Sequence, residues 1–485
     1  MNYRIISFTL GRMMLVLSVF LLLPLLCAVI FKESTDIILA YIYTIVITLS
    51  LFVFMHKFAH KETMTQNFYT KEGLVIVALT WLMYSTLGSL PFVFSNAIPS
   101  YVDALFETTS GFTTTGSTIL RDIESLPKSL IFWRSLSHFI GGLGVVIFAL
   151  AILPRSPHNI HIMKAETPGP MFGKLMSSMK STAVNLYALY IGLTLVLFVL
   201  LLPSGIGIFE AINLSFSTAG TGGFATKNTG IAFYNNDYVT FILSIFMLVF
   251  SLNMNLVYLV IVKRYFQALK SEELKWFISF LVFATGLIIF NIYYTGGMKE
   301  NSLLDIFFTV SSIISTTGFT NIDFSGWTMF SQIILLGLMI IGGCAGSTSG
   351  GLKIPRIMFI FKNVQNYIKK CINPNKISTI TIEKKSVDNN DKFSNYLVLY
   401  LFVFSLITFI LSIQINDFEE VFTLVISTLN NIGPGFNSYG PMDNFADVPS
   451  FSKVILSLSM LLGRLEIIPF IILFAPQTWR RKRNR

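Results

Sequence analysis

The chain has 485 residues, 53% of them apolar and only 12% charged, with a formal net charge of +10. Soluble domains carry about twice that share of charged residues, so a soluble globular protein is excluded. Long apolar runs without alternation exclude a membrane β-barrel, and basic loops between such runs suit anionic lipid headgroups rather than nucleic acid.

Charge-free stretches run 13–31, 37–55, 73–102, 135–154, 181–209, 238–262, 276–298, 324–352 and 393–416, and a tenth, 454–479, is broken only by Arg464 and Glu466. Each is near or above the ~20 residues that cross a bilayer as a helix. An all-α membrane protein with ten transmembrane helices is therefore expected. Arg4 and Arg12 precede the first stretch as in a signal peptide. It lacks a small-residue cleavage site, and Leu26 before Cys27 departs from a lipoprotein box, so a retained helix is expected.

With the N-terminus inside, the cytoplasmic segments hold Arg4 and Arg12; Lys57, Lys61 and Lys71; Arg155, Lys164, Lys174 and Lys180; Lys263, Arg264, Lys270 and Lys275; nine residues from Lys353 to Lys392; and five after Trp479. That is 27 of the 35 Lys and Arg, against Lys32, Arg121, Lys128, Lys227, Lys299 and Lys453 outside, with Arg134 at a helix mouth. The asymmetry orients both termini toward the cytoplasm. Cys27, Cys344 and Cys371 lie too far apart for a disulfide framework, and His56 and His60 lack a third metal ligand nearby.

Four segments share one pattern: DALFETTSGFTTTGST from Asp103, EAINLSFSTAGTGGFAT from Glu210, DIFFTVSSIISTTGFTN from Asp305 and EVFTLVISTLNNIGPGFN from Glu420. Seven residues past each acid stands Ser110, Ser217, Ser312 or Ser427, and thirteen past it Gly116, Gly223, Gly318 or Gly433. The ten residues after each acid suit a short helix, too short to span, with the acid at its outer, dipole-positive end. The chain then returns as polar extended backbone, which is tolerated at that depth only where it lines a watery cavity. Four such loops surround one axis with carbonyl oxygens, which can replace a cation's hydration shell. Glycine used only for helix packing would explain one segment but not four with matched offsets.

These residues resemble the Trk/Ktr/HKT superfamily of potassium transporters, most closely its TrkH-type members, through FETTSGFTTTGST (106–118), FWRSLSHFIGGLG (132–144), GGCAGSTSGGLK (342–353), NNIGPG (430–435) and GRLEI (463–467). The resemblance implies four outer-helix, pore-helix, inner-helix repeats around a pseudo-fourfold pore, preceded by two extra N-terminal helices. The expected divisions are 1–56 for those two helices, pore repeats at 72–155, 180–264, 275–362 and 392–479, and a basic cytoplasmic tail at 480–485. It implies a potassium-binding filter of Thr114, Thr115 and Gly116; Thr221, Gly222 and Gly223; Thr316, Thr317 and Gly318; and Asn431, Ile432 and Gly433. Gly116 stands where sodium-favouring members commonly carry serine. The residues after the four glycines vary (Ser117, Phe224, Phe319, Pro434), so a less regular cage with softer discrimination is expected.

Below the filter, Gly342, Gly343, Gly346, Gly350 and Gly351, with Ser347, Thr348 and Ser349 between, interrupt a span in which each glycine costs a helix about 1 kcal/mol. A flexible gate is expected there, and the resemblance implies the same. Arg464, the one basic residue deep in a span, is expected to face the pathway near that gate, with a structural ion pair as the alternative. The cytoplasmic segment 363–392 is too short for a folded domain and no phosphate-binding glycine motif appears. Nucleotide control would come from another chain, and the resemblance implies a homodimer on a ring of soluble TrkA-like nucleotide-binding subunits. The expected function is K+ uptake, with Rb+ and Na+ as candidate ions, across a bacterial inner (plasma) membrane, without a cofactor. A sodium-permeable or cation-coupled transporter is the alternative. A membrane enzyme would need clustered acids or a nucleophile constellation, whereas the acids here are dispersed.

Overall fold

The computed structural model describes residues 1–58, 70–142, 144, 179–297, 302–373, 380–383, 385–386 and 390–479. Helices α1 (Tyr3–Ile30) and α2 (Thr35–Phe58) lead the chain. Then α3 (Thr70–Gly88), extended by α4 (Leu90–Phe94), is followed by the short α5 (Tyr101–Phe112) and by α6 (Lys128–Gly142). The order of long, short and second helix returns in α7 (Met179–Leu201), α8 (Ile208–Gly220) and the pair α9 (Asp237–Ser251) and α10 (Met254–Ile261). After α11 (Tyr265–Leu269) it returns in α12 (Glu272–Tyr294), α13 (Leu303–Ile314) and α14 (Met329–Ile341). Beyond α15 (Ile354–Ile372) it recurs in α16 (Asn390–Leu411), α17 (Phe418–Leu429) and α18 (Ser450–Arg464), before α19 (Ile468–Phe474) and α20 (Pro476–Trp479).

Among the described residues six helices are long and apolar enough to cross a bilayer, or seven if α9 and α10 count as one bent span. Several of the ten expected stretches are not single helices, for local reasons. The 238–262 stretch breaks at Leu252 and Asn253 into helices bent by 108°, because the Asn253 side chain caps α10 at the Asn255 N–H (3.0 Å). The 324–352 stretch is helical only over Met329–Ile341 before the glycine-rich segment. The 454–479 stretch stops at Arg464, where Glu466 and Ile467 turn to positive φ (56° and 64°). The second half of 135–154, His60 and the tail 480–485 lie outside the described residues. One departure from an all-helical chain is a two-residue hairpin, β1 (Thr381–Ile382) with β2 (Lys385–Ser386), registering Thr381 with Ser386.

The long helices are apolar on all sides, as lipid-facing helices are. In α12, Ala284, Ile288 and Ile292 are buried while Val282, Phe283 and Phe290 are exposed. Apolar clusters join α1, α3, α5 and α6 with α16 to α18, α12 with α13 to α15, and α7 with α8 and α9. Between them lies a buried polar seam that includes Thr114, Thr115, Thr221, Thr316, Thr317 and Asn431.

Candidate functional site

The four short helices are built alike. Each acid, Asp103, Glu210, Asp305 or Glu420, is the third residue of its helix, where a carboxylate complements the dipole and the free N–H groups. Ser302 and Asp305 form a reciprocal capping box, Ser100 caps α5 and Asp417 caps α17. At the other end all four close with a Schellman motif. Thr115, Gly222, Thr317 and Ile432 donate their N–H groups to the carbonyls of Ser110, Ser217, Ser312 and Ser427 at 2.9–3.0 Å. The residue before each of those donors takes the left-handed conformation: Thr114 (φ 55°), Thr221 (52°), Thr316 (55°) and Asn431 (54°). Three of these are β-branched, for which that conformation costs about 1 kcal/mol or more apiece. The recurring offsets are thus the fixed length between an acid at the third position and a serine whose carbonyl closes the helix.

Two residues past each left-handed turn the chain reaches Gly116, Gly223, Gly318 or Gly433, all at positive φ (86°, 79°, 78° and 111°). A Cβ at Gly116 would overlap the carbonyl oxygen of Gly222, one at Gly223 that of Thr317, and one at Gly318 that of Ile432. The circle closes with Gly433, whose Cβ would sit 2.8 Å from the Thr115 oxygen. The four loops therefore touch in cyclic chain order, each glycine against the carbonyl that precedes the next one. The fourth loop is the irregular member: its Gly433 carbonyl accepts from both Ser427 Oγ (2.7 Å) and Ser117 Oγ (3.0 Å). All four glycines line one cavity of about 70 Å³, rimmed by Arg134, Lys227 and Asp443.

A buried ion pair braces the first two loops. Arg134 Nε meets Glu107 Oε1 at 2.7 Å, and both side chains are inaccessible. Glu107 also accepts from Thr118 Oγ1 (3.0 Å) and the Ile119 N–H (2.9 Å), while Arg134 reaches the Ala225 carbonyl (3.4 Å). The Arg134 guanidinium covers Phe224, which stacks on His138 with ring centroids 4.1 Å apart. The Arg134 charge at the cavity rim is thus buried and paired. The signal that could have revealed the pair was Glu107 itself, a second acid inside a short apolar helix, which demands a buried partner.

Beneath the ring, the segment from Gly342 to Lys353 crosses the bundle without helix. The Gly350 N–H donates to Thr316 Oγ1 (2.6 Å) and the Gly351 N–H to the Asn430 carbonyl (3.2 Å), so the segment abuts the inner ends of α13 and α17. The Cys344 N–H donates to the Ser251 carbonyl at the end of α9 (2.9 Å), and Thr348 Oγ1 to the Phe250 carbonyl (3.1 Å). The Ala345 N–H donates to Glu273 Oε1 (2.5 Å), and Glu273 also accepts from Asn253 Nδ2 (3.3 Å) at the helix break. Arg464, last residue of α18, donates to the Thr348 carbonyl (2.6 Å) and to the Gly141 and Gly142 carbonyls ending α6. Glu466 instead pairs with Arg356 (2.6 Å). Arg464 therefore ties the segment to two helices. Lys353 and Lys453, counted above among loop charges, are both buried, Lys453 against Asp103 at 2.6 Å. Glu273, Lys353 and the α9–α10 break are the features that sequence reasoning missed. A buried-span acid or lysine is the usual signal for such partners, but Glu273 and Lys353 sit at the edges of apolar runs and read as loop residues.

Among the described residues no group of three or more His, Cys, Asp or Glu could hold a metal ion, so what the site offers a ligand is carbonyl and hydroxyl oxygen. The TrkH family, described as a cation transport protein, matches residues 34–481. The Trk system potassium uptake protein TrkH of Escherichia coli (strain K12) is 32% identical over 495 residues, spanning 99% of this chain and 100% of its own. Its Salmonella typhimurium counterpart is 31% identical over 494 residues, with the same coverage. The crystal structure of the potassium transporter TrkH from Vibrio parahaemolyticus superposes with a TM-score of 0.86 at 29% identity, over 99% of this chain and 100% of that one. With all but the first 33 residues and the last few inside the family match and full-length likeness on both sides, the chain belongs to the TrkH family of cation transport proteins and is a membrane transporter, not an enzyme.

Proposed function

We propose that this chain carries K+ into the cell through the ring of four loops. The observation that carries the reading is the closed circle of glycine-to-carbonyl contacts from Gly116 through Gly223 and Gly318 to Gly433. Neutral carbonyls packed around one axis replace water around a monovalent cation without binding it too tightly to leave. The potassium uptake named for the E. coli and Salmonella relatives supports K+ as the ion. In this reading the chain crosses a bacterial plasma membrane ten times. The α1–α2 pair precedes four units, each an outer helix, a pore helix (α5, α8, α13, α17) and an inner helix, around a pseudo-fourfold axis. The 342–351 segment is the gate, Arg464 is its tether, and the chain works as a homodimer on a soluble nucleotide-binding partner. Rb+ uptake into proteoliposomes tests this. Competition by K+ but not by equal Na+ supports it, and equal competition by both overturns K+ preference.

One observation favours a sodium-permeable reading as the second choice. The Gly433 carbonyl already holds two hydroxyls, so the fourth quadrant offers a weaker ligand than the other three. Ser117→Ala removes one of them, and sharper discrimination in the same competition assay would trace the weakness to that bond.

A further inference from the structure

The segment beneath the ring carries a cation of its own. Lys353 is 1% exposed. Its Nζ donates to the Ser349 carbonyl, to Ser349 Oγ (3.2 Å) and to Ser347 Oγ (3.4 Å). The two hydroxyls lie 2.7 Å apart, and Ser347 Oγ donates onward to the Cys344 carbonyl at 2.6 Å. Among the described residues no carboxylate lies within ion-pair distance of Lys353, so the groups in direct contact with its charge are carbonyl and hydroxyl dipoles. Its backbone is also held at φ 76°, unfavourable for a residue with a long side chain, while its N–H bonds the Ile341 carbonyl at 3.0 Å. A buried ammonium without a carboxylate is costly. It is retained here in a cage of one carbonyl and two hydroxyls, the donor set that suits a dehydrated monovalent cation.

We propose that the oxygens of Ser347 and Ser349 form a monovalent-cation site inside the 342–351 segment, filled by the Lys353 ammonium while the segment lies across the bundle. The proposal rests on the reading of ring and segment as one ion path. An ammonium and a bare K+ or Rb+ carry the same charge at similar size, so Lys353 and a passing ion compete for the same oxygens. The segment that carries the site reaches the ring at neighbouring Gly350, whose N–H donates to Thr316 Oγ1. A cation leaving the ring then meets an occupied site and, at Thr348, a second fixed charge on Arg464. Opening requires Lys353 to withdraw, and the vacated oxygens become a stepping site for the ion.

The test uses the full-length protein and Tl+, which substitutes for K+ and scatters anomalously. Lys353→Met keeps the apolar stem and removes the charge. Anomalous density between Ser347 and Ser349 in Lys353→Met, absent from the unsubstituted protein, supports the site. Density at the four-glycine ring but none at the serines of the variant overturns it and leaves the ring reading standing. Density at neither place overturns both, and density at the serines with Lys353 in place shows that the ammonium is not the occupant. Should Lys353→Met fail to fold, Ser347→Ala/Ser349→Ala with Lys353 intact gives a second readout. Basal Rb+ flux should rise by roughly tenfold, the shift expected when a charged group loses hydrogen-bond partners. Unchanged flux overturns the proposal.

Discussion

At the scale of single residues, the four ring glycines each face a backbone oxygen of the neighbouring loop, unlike several glycines within the long helices. Gly192, Gly286 and Gly337 have open space where a side chain would go, whereas Gly318 faces the Ile432 carbonyl and Gly116 that of Gly222. A side chain must therefore displace a ring oxygen and also adopt positive φ. Gly116→Ser and Gly318→Asp are expected to abolish Rb+ flux or to cut K+ over Na+ discrimination by roughly tenfold or more, an overpacking cost on the order of 1–3 kcal/mol. Unaltered preference in both would remove these glycines from the ion path. The Glu107–Arg134 pair allows a different argument. Removing one partner leaves an orphan charge with no exposure, at a cost of about 3–5 kcal/mol. Glu107→Gln and Arg134→Met should each lower the thermal midpoint in detergent strongly, and the double variant less than either. Additive losses would mean that the two side chains are not coupled.

At the scale of elements, the offsets of seven and thirteen were legible because a helix closed by caps at both ends has a countable length. The caps themselves were not all legible: Ser100, Ser302 and Asp417 precede the acids but were not singled out. The glycine-rich interruption was legible from propensity, since five glycines between 342 and 351 defeat a helix. The 108° break between α9 and α10 was not, because 238–262 carries no charge and no glycine or proline, and the break depends on Asn253 finding Glu273 and on Gly346 accepting from the Met254 N–H. These bonds hold the 342–351 segment in place, so loosening them should loosen the proposed gate. Deleting 346–349 should raise basal Rb+ flux and make it insensitive to the proposed nucleotide-binding partner. Arg464→Ala and Glu273→Ala should each raise it less. A monodisperse deletion variant with normal, regulated flux would show that the segment is only a packing kink.

At the scale of the whole molecule, orientation is the testable quantity. Cys371 is exposed on the basic end of α15, while Cys27 and Cys344 are buried, so the unsubstituted protein carries its own reporter. A membrane-impermeant maleimide should reach Cys371 only from the cytoplasmic side of sealed vesicles. In a Cys371→Ser background, Asp447→Cys, beside Arg121 on the ring side, should react only from outside. The opposite pattern would invert the assignment. Lys299, counted on the outer side, lies outside the described residues, so Asp447 is the better probe.

Composition and periodicity by themselves determined that this chain is a helical membrane protein, and the fourfold offset pattern determined where its loops turn. Both are local quantities: transfer of apolar stretches into lipid, and the length of a capped helix. Only the tertiary structure decided which carbonyl each glycine meets and in what cyclic order. It also decided that Glu107 belongs with Arg134 and that Glu273 meets the segment under the ring. Those partners are 27 residues apart for the first pair, and Glu273 and the Ala345 N–H it accepts from are 72 apart. Such pairings have no period in the sequence, because they exist only once the packed helices have brought distant chain segments within a hydrogen bond of each other.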